Sequence, residues 1–363
     1  MSVIANGNLY WPDYANFATS HRCENLISWP NKTVTNGVRI VRAVVCKAWG
    51  PVEGLVVEDI EAPVPGPGEI LLDVKSTGVN FADSILVAGN YQTKPELPFS
   101  PGLEGAGIVA ACGDGVTRFK PGDRAMALLA YGGFAERVVT LETDAFPMPD
   151  NMGFEEGGAF PVSYLSSDVA IRWQARLATG ETMLVLGAAG GVGLTAVEIG
   201  KAMGARVIAG ASSSEKLAAA ASRGADEGIN YATENLKERV MALTDGKGVD
   251  VVYDPVGGDL FDPAFSSTGW GGRYLVIGFA GGLQRIPANR ILVKHRAVLG
   301  SSLRYFRWHA PEKLEASVEA LIGWYKQGRL KPLVTHIMPL EKTVDAIKLL
   351  TDRKAHGKIV VMP

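Results

Sequence analysis

Cysteine is scarce in this sequence. Cys23, Cys46 and Cys112 are the only three in 363 residues, and they lie too far apart for a CxxC pair. A disulfide framework is not expected, and a reduced, cytoplasmic setting fits. Histidine is missing where a metal centre would need it. His21, His295, His309, His336 and His356 are the only five, and neither Cys nor His occurs between Cys112 and His295. Zinc takes three or four Cys, His or acidic ligands; no metal ligand is assigned here, and a cluster of closely spaced cysteines for a structural zinc lobe is absent. No G-x-S-x-G stretch occurs, so serine-based acyl transfer loses support. Excess charge of one sign is absent too: 36 Lys and Arg face 38 Asp and Glu, a net charge of −2. Neither nucleic acid nor an anionic membrane is advertised as a partner. The uncharged stretch from Thr182 to Val197 is Gly-rich and shorter than the roughly 20 apolar residues of a membrane span. The first residues lack a basic segment followed by an apolar one, so no secretory signal is read.

Glycine is what the sequence has in plenty, 43 residues where about 7% is usual. They follow no G-X-Y period, which excludes collagen and points to tight turns and close backbone approaches. With 47% apolar and 20% charged residues the chain can bury a sizeable core, and at about 150 residues per domain its length suggests two domains. Residues 1–40 read differently. They are rich in Asn and aromatics without helical or alternating period, as in a disordered or mis-started extension; an arm for a partner is the other reading.

From Val41 to about Phe160, short apolar runs are punctuated by Gly and Pro. Ala43–Cys46, Glu69–Val74, Gly107–Ala111, Arg124–Leu129 and Phe134–Val139 read as strands of a small barrel-like unit. From Ser163 strand and helix alternate. Strands are expected at Met183–Leu186, Arg206–Ala209, Ile229–Tyr231, Val249–Tyr253 and Gly272–Ile277, with helices at Gly191–Met203, Ser214–Ala221 and Glu234–Leu243. That grammar makes an α/β fold around a doubly wound parallel sheet. The tail carries two amphipathic helices, Pro311–Gln327 and Glu341–Thr351, and a strand, Lys358–Met362; it is expected to return to the first domain.

The sharpest motif is Leu184-Val185-Leu186-Gly187-Ala188-Ala189-Gly190-Gly191-Val192-Gly193, a buried strand running through a Gly-rich turn into a helix. Gly190 lets backbone approach a pyrophosphate, Gly193 lets helix pack on strand, and the N–H groups near Gly191 and Val192 face an anion. Ala188 replaces the first glycine of the usual dinucleotide pattern. An NAD site places Asp or Glu at the end of the second strand, to accept from the ribose 2′-OH. Here Gly210 stands there, followed by Ser212, Ser213, Ser214 and Lys216. A 2′-phosphate suits small donors and a positive charge and is repelled by a carboxylate, so NADPH is preferred. A serine helix cap beside a solvated Lys216 is the plainer alternative.

Together these stretches resemble the medium-chain dehydrogenase/reductase superfamily, in its zinc-free, zeta-crystallin-like quinone oxidoreductase branch. The carriers include Gly78-Val79-Asn80-Phe81-Ala82-Asp83, Gly89-Asn90-Tyr91, Pro98 to Gly107, Phe119 to Arg124, Gly132 to Glu136, Ala188 to Gly193 and Asp254-Pro255-Val256-Gly257-Gly258. The resemblance spans Arg42 to Pro363. Zinc-dependent relatives carry Cys where Asn80 stands and His where Leu103 stands. The family implies a GroES-like catalytic domain from both chain ends (41–162 and 309–363), a central Rossmann domain (163–308), a homodimer, and a nicotinamide cleft between domains. By position, Asn80 and Tyr91 fall at the substrate end. Ser166 takes the place of a nicotinamide-side hydroxyl, usually Thr. Ser212, Lys216 and Tyr231 match the group that holds the 2′-phosphate, and Gly278 and Phe279 run beside the nicotinamide. His356 stands where a basic residue often helps the 2′-phosphate. Asn80 reads equally as a helix cap, and Tyr91 as a cleft wall.

The implied activity is hydride transfer from NADPH to a quinone or similar small-molecule acceptor, without zinc. Reduction of an activated C=C bond, in an enal or enoyl thioester, is the alternative. The segment Arg304-Tyr305-Phe306-Arg307-Trp308-His309 interleaves base and aromatic, which keeps an NADPH-sensitive RNA-binding role as a third, weaker reading.

Overall fold

The chain's short apolar runs become strands whose ends are set by glycine turns. The computed structural model describes residues 39–363, so nearly all of the expected extension lies outside the described residues. The structure divides into two compact units. One runs up to Pro161 and takes back His336–Ala355 and Ile359–Pro363; the other comprises Val162–Thr335 with His356–Lys358.

In the first unit β1 (Ile40–Val45) pairs antiparallel with β2 (Val56–Glu61). Its first residue, Ile40, fell within the expected extension; pairing with Glu61 draws it into the strand. Next come β3 (Glu69–Val79), α1 (Phe81–Val87), β4 (Glu104–Cys112), β5 (Arg124–Leu128), β6 (Arg137–Leu141), β7 (Ala145–Pro147) and the short α2 (Phe154–Gly158). β3 outruns its expected end at Val74 because it has partners along its length: β4 and β6 on the early part, the chain's last strand on Thr77–Val79. Ile70, Leu72, Val109, Ala125, Ala127 and Val138 close the core between these strands. The run expected as one strand from Phe134 to Val139 is broken. Gly133 and Phe134 donate to the carbonyls of Gly102 and Pro101, and Val44 donates to Phe134, so Phe134 and Ala135 lie against β1 before β6 begins.

The second unit opens with α3 (Pro161–Asp168) and a π-helical turn, Val169–Gln174. Strand and helix then alternate: β8 (Thr182–Leu186), α4 (Gly191–Ala202), β9 (Arg206–Ala211), α5 (Ser214–Ala221), β10 (Glu227–Asn230), α6 (Leu236–Leu243), β11 (Val249–Asp254), α7 (Phe261–Ser266), β12 (Thr268–Val276), α8 (Ala288–Val293) and β13 (Ala297–Gly300). All the strand pairings are parallel, in the order β10-β9-β8-β11-β12-β13. In order of entry that is 3-2-1-4-5-6, whose chain reversal between β8 and β11 makes the crevice where such sheets take ligands. The core joins Leu184, Ile208, Val252 and Tyr274 of the sheet to Val240, Phe261 and Phe265 of the helices.

α9 (Leu303–His309) and α10 (Pro311–Lys326) follow. The sequence reading placed α10 with the returning tail; it packs in the second unit instead, so that unit extends to Thr335 rather than ending at residue 308. Leu314 and Leu321 are buried, the Trp173 indole donates to Ser317 Oγ (3.0 Å), and the Arg172 guanidinium lies over the Trp324 ring. A buried carboxylate adds to this. Glu198 on α4 accepts from the Tyr164 hydroxyl (2.5 Å) and from the Lys331 N–H (3.0 Å), and burial pushes its carboxyl up, with Tyr164 opposing. The tail then forms β14 (Val334–Pro339), α11 (Thr343–Thr351) and β15 (Lys358–Met362). β15 pairs with β3, in the sheet order β14-β15-β3-β4-β5-β7. No helix among the described residues is long and apolar enough to cross a membrane.

Candidate active site

The turn after β8 is closed by its own backbone. Gly187 has φ +57°, and its carbonyl accepts from the Gly190 N–H at 2.9 Å. Gly190 is the N-cap of α4 without a capping side chain, so the first-turn N–H groups at Gly191, Val192 and Gly193 have no partner within the helix. Gly193 must stay bare: a Cβ there would lie 2.1 Å from the Gly187 oxygen. Ala188, the departure from the usual pattern, is buried, and its N–H donates to the Gly210 carbonyl at 3.0 Å. From the far end of the chain Gly357 docks on this turn, its N–H donating to the Ala189 carbonyl at 2.8 Å. This puts His356 and Lys358 beside the turn, a placement the sequence could not show.

Parallel strands bring the other expected cofactor residues to the same carboxyl edge of the sheet. β9 ends at Gly210–Ala211, and a Cβ on Gly210 would make ordinary contacts at 3.4 Å with Leu186 and Tyr231. Tyr231 follows β10, its N–H donating to the Ala211 carbonyl. Ser213, not Ser212, caps α5 by accepting from the Lys216 N–H (3.3 Å). The exposed Ser212 accepts instead from the Lys216 ammonium at 3.5 Å. This stretch therefore carries a cap at Ser213 and, beside it, a hydroxyl–ammonium pair at Ser212 and Lys216.

β11 and β12 end in loops laced together by Asp254, whose role the sequence reading missed. Its buried carboxylate accepts from the N–H groups of Val256 and Gly257 (both 2.8 Å), the Tyr274 hydroxyl (2.7 Å) and Gln284 Nε2 (3.0 Å). Gln284 also donates to the Gly278 carbonyl, which fixes the Gly278–Phe279 backbone. Burial, then the Asp254 charge, push the Tyr274 phenol up. Ser166 is half-buried on α3. Its neighbour Ser167 makes the structural bonds, to the Val192 carbonyl, Thr195 Oγ1 and the Tyr253 hydroxyl.

Asn80 and Tyr91 belong to the first unit. Asn80 is the N-cap of α1, and Asp83 accepts from its N–H at 2.7 Å. Its side-chain amide donates to Glu104 Oε1 (2.9 Å) and to the Gly78 carbonyl (3.2 Å). Tyr91 is half-buried in the loop after α1. Leu103 is buried hydrocarbon. An amide and a leucine do not make a zinc site, and the described residues contain no group of three or more His, Cys, Asp or Glu placed to hold a metal. The segment Arg304–His309 forms most of α9. Phe306 is buried, Tyr305 and Trp308 are exposed, and the Arg304 guanidinium covers the Trp308 ring at 3.9 Å.

Residues 66–150 match the family described as alcohol dehydrogenase GroES-like domain, and residues 191–321 the family described as zinc-binding dehydrogenase. A quinone oxidoreductase-like protein 2 homolog from Nematostella vectensis is 36% identical over 95% of this chain and 93% of its own length. The chain belongs to the medium-chain dehydrogenase/reductase superfamily, in its quinone oxidoreductase-like branch. Two solved members of that branch show the same fold. The Pseudomonas syringae quinone oxidoreductase is 32% identical with a TM-score of 0.83, covering 89% of this chain and 100% of its own. The Escherichia coli quinone oxidoreductase, solved with NADPH, is 29% identical with a TM-score of 0.82, covering 89% of this chain and 99% of its own. The superfamily's second half carries zinc in its family description, yet in this chain positions 80 and 103 offer no zinc ligand.

Proposed function

We propose that the protein is an NADPH-dependent reductase that passes hydride to a quinone or a similar small acceptor without zinc. The observation that carries this is the carboxyl edge of the parallel sheet. A Gly-rich turn that opens onto a helix N-terminus without a capping side chain lies beside a second strand that ends in Gly210 rather than an acid, with Ser212 and Lys216 following. That edge fits a dinucleotide with a 2′-phosphate. NADPH, when bound, supplies the hydride from its nicotinamide C4. Gly190–Gly193 would hold the pyrophosphate, Ser212, Lys216 and Tyr231 the 2′-phosphate, and Ser166, Gly278 and Phe279 the nicotinamide end. Asn80 and Tyr91 would serve the acceptor, Tyr91 offering a phenolic proton. A quinone needs no Lewis acid to accept hydride, so the protein's contribution is positioning. The relatives' names and the NADPH-bound neighbour support this reading.

Initial rates with 1,4-benzoquinone, an alkenal and an enoyl thioester, each with NADPH and NADH, test it. Fastest turnover is expected with the quinone and NADPH. Faster turnover of either alkene moves the assignment to C=C reduction. Activity is also expected to survive EDTA, with far less than stoichiometric zinc by metal analysis; about one tightly held zinc per chain would overturn the zinc-free mechanism.

The homodimer belongs to the same proposal. β13 is an edge strand of the parallel sheet, and beside it Leu292 and Val293 are 82% and 67% exposed. An open edge with apolar neighbours is a surface that proteins usually cover. Sedimentation is expected to show a dimer that Leu292→Glu with Val293→Glu shifts to monomer. A wild-type protein that sediments as a monomer would remove the proposal. A cytoplasmic location completes it, consistent with free thiols at Cys46 and Cys112.

A further inference from the structure

The segment His356–Lys358 belongs to the second unit, and its bonds hold it against the Gly-rich turn. The Gly357 N–H donates to the Ala189 carbonyl and the Lys358 N–H to the Leu333 carbonyl, both at 2.8 Å, and the Thr335 hydroxyl donates to the His356 carbonyl at 2.6 Å. Gly357 has φ +67°, and a Cβ on it would lie 2.6 Å from the Leu333 oxygen, so the approach needs a glycine. The next side chain is thereby delivered to the start of α4. Lys358 is only 7% exposed. Its Cδ lies 3.0 Å, and its Cγ 3.8 Å, from where a Cβ of Gly191, the first residue of α4, would stand; the ammonium is two bonds beyond Cδ. Burying a lysine is unfavourable, and a helix N-terminus, the positive end of the dipole, makes it more so. The carboxylate of the same pocket, Glu198, lies further along α4 and is engaged by the Tyr164 hydroxyl, the Lys331 N–H and, at 4.0 Å, Arg223. A third feature of the same sense adjoins. Ser163 Oγ, 3.6 Å from the Gly191 Cβ position, is fully buried and has no hydrogen-bond partner among the described residues. A buried cation, a helix N-terminus and a hydroxyl in want of an acceptor surround one bare glycine, and an anion complements all three.

We propose that Lys358 is a cofactor-binding residue whose charge serves the pyrophosphate at the start of α4, with the Ser163 hydroxyl as a further donor to the same anion. The inference rests on reading the carboxyl edge of the parallel sheet as a dinucleotide site, and deepens it. It adds a charge that treats the two nicotinamide cofactors alike, because both carry the pyrophosphate, whereas Lys216 tells them apart. The unfavourable placement is itself a signature: a group kept for a ligand lowers the stability of the free protein, whereas a structural lysine raises it.

Equilibrium binding of NADPH, NADH and adenosine 2′-monophosphate to the full chain tests this, with the melting temperature of the free protein measured alongside. Lys358→Met keeps an unbranched apolar stem against Gly191 and removes the charge. It is expected to weaken NADPH and NADH by the same factor, roughly tenfold or more. Adenosine 2′-monophosphate, which lacks the pyrophosphate, should bind as before, and the free variant should melt at or above the wild-type temperature. Lys358→Arg, which keeps the charge, should retain most of the affinity. Ser163→Ala should weaken both dinucleotides alike at an unchanged Tm; a Ser163→Ala protein that binds both like wild type overturns the donor role of Ser163. A Lys358→Met protein that binds both dinucleotides like wild type, or that loses NADPH alone, overturns the role of Lys358. So does one that melts well below wild type or fails to fold, which would mark a structural lysine. Wild-type protein that binds neither dinucleotide overturns the dinucleotide reading itself, and this inference with it.

Discussion

Lys216→Ala is expected to raise KM for NADPH roughly ten- to hundred-fold while leaving KM for NADH nearly unchanged. A hydrogen bond to a charged group contributes about 1.5–3 kcal/mol, and each 1.4 kcal/mol is about tenfold in affinity. The ammonium of Lys216 lies at the exposed rim after β9, 3.5 Å from the Ser212 hydroxyl, and α5 keeps its cap through Ser213 when the Lys216 side chain is lost. The substitution therefore removes a charge without removing the helix start. Gly210→Asp should act in the opposite direction, toward NADH. Its Cβ meets only ordinary contacts at 3.4 Å, so the fold accepts it. The new carboxylate would accept from a ribose 2′-OH and repel a 2′-phosphate. Steady-state kinetics with both cofactors decide the matter. An unmodified protein that prefers NADH, or a Lys216→Ala variant that loses both cofactors alike, would leave this stretch as a capped helix start and nothing more.

Gly193→Ala should disable the proposed cofactor site by a different route. The added Cβ would stand 2.1 Å from the Gly187 carbonyl and 2.9 Å from the Ala188 Cα. Both are backbone atoms of the turn, so either α4 moves off β8 or the turn opens. Overpacking of this kind costs about 1–3 kcal/mol, with a fall in Tm of about 2–4 °C for each kcal/mol in a unit of this size. Displacing the first-turn N–H groups is expected to weaken NADPH binding, because those groups no longer point together at the pyrophosphate. Gly190→Ala is the control for fold stability. Its Cβ would come only to 3.4 Å from the Gly187 oxygen, so its melting temperature should stay at the wild-type value. Differential scanning fluorimetry with and without NADPH reads both effects. A Gly193→Ala protein that melts and binds like wild type would show that this turn does not form the cradle.

How much of this was legible beforehand varies with how local the deciding bonds are. Ser214–Ala221 and Lys358–Met362 have the bounds the sequence indicates. A Ser cap closes the first within three residues of itself, and the second is the apolar run Ile359–Met362 behind one lysine. The Gly-rich turn was equally readable, since Gly187 and Gly190 bond each other. The missing acid at Gly210 was readable from the end of the second strand, and the missing zinc ligands at Asn80 and Leu103 from the resemblance to zinc-dependent relatives. α10 was misplaced because its amphipathic period shows that it buries a face but not which neighbour buries it. Trp173 and Ser317 are 144 positions apart, and only the folded chain brings them together.

The sequence by itself determined the class of the fold, the strand–turn–helix around the Gly-rich turn, and the absence of a carboxylate at the end of β9. Hydrophobic period, turn chemistry and side-chain inventory act over a few residues, and need no partner elsewhere. Only the tertiary structure decided that Glu104 lies beneath Asn80, that Asp254 ties the β11 and β12 loops through Gln284, and that Gly357 seals the turn at Ala189. Each of those contacts joins residues from 24 to more than a hundred positions apart. Their meeting depends on strand register and on bare glycines at Gly78 and Gly193, where a buried carboxylate or a carbonyl fills the space a Cβ would take.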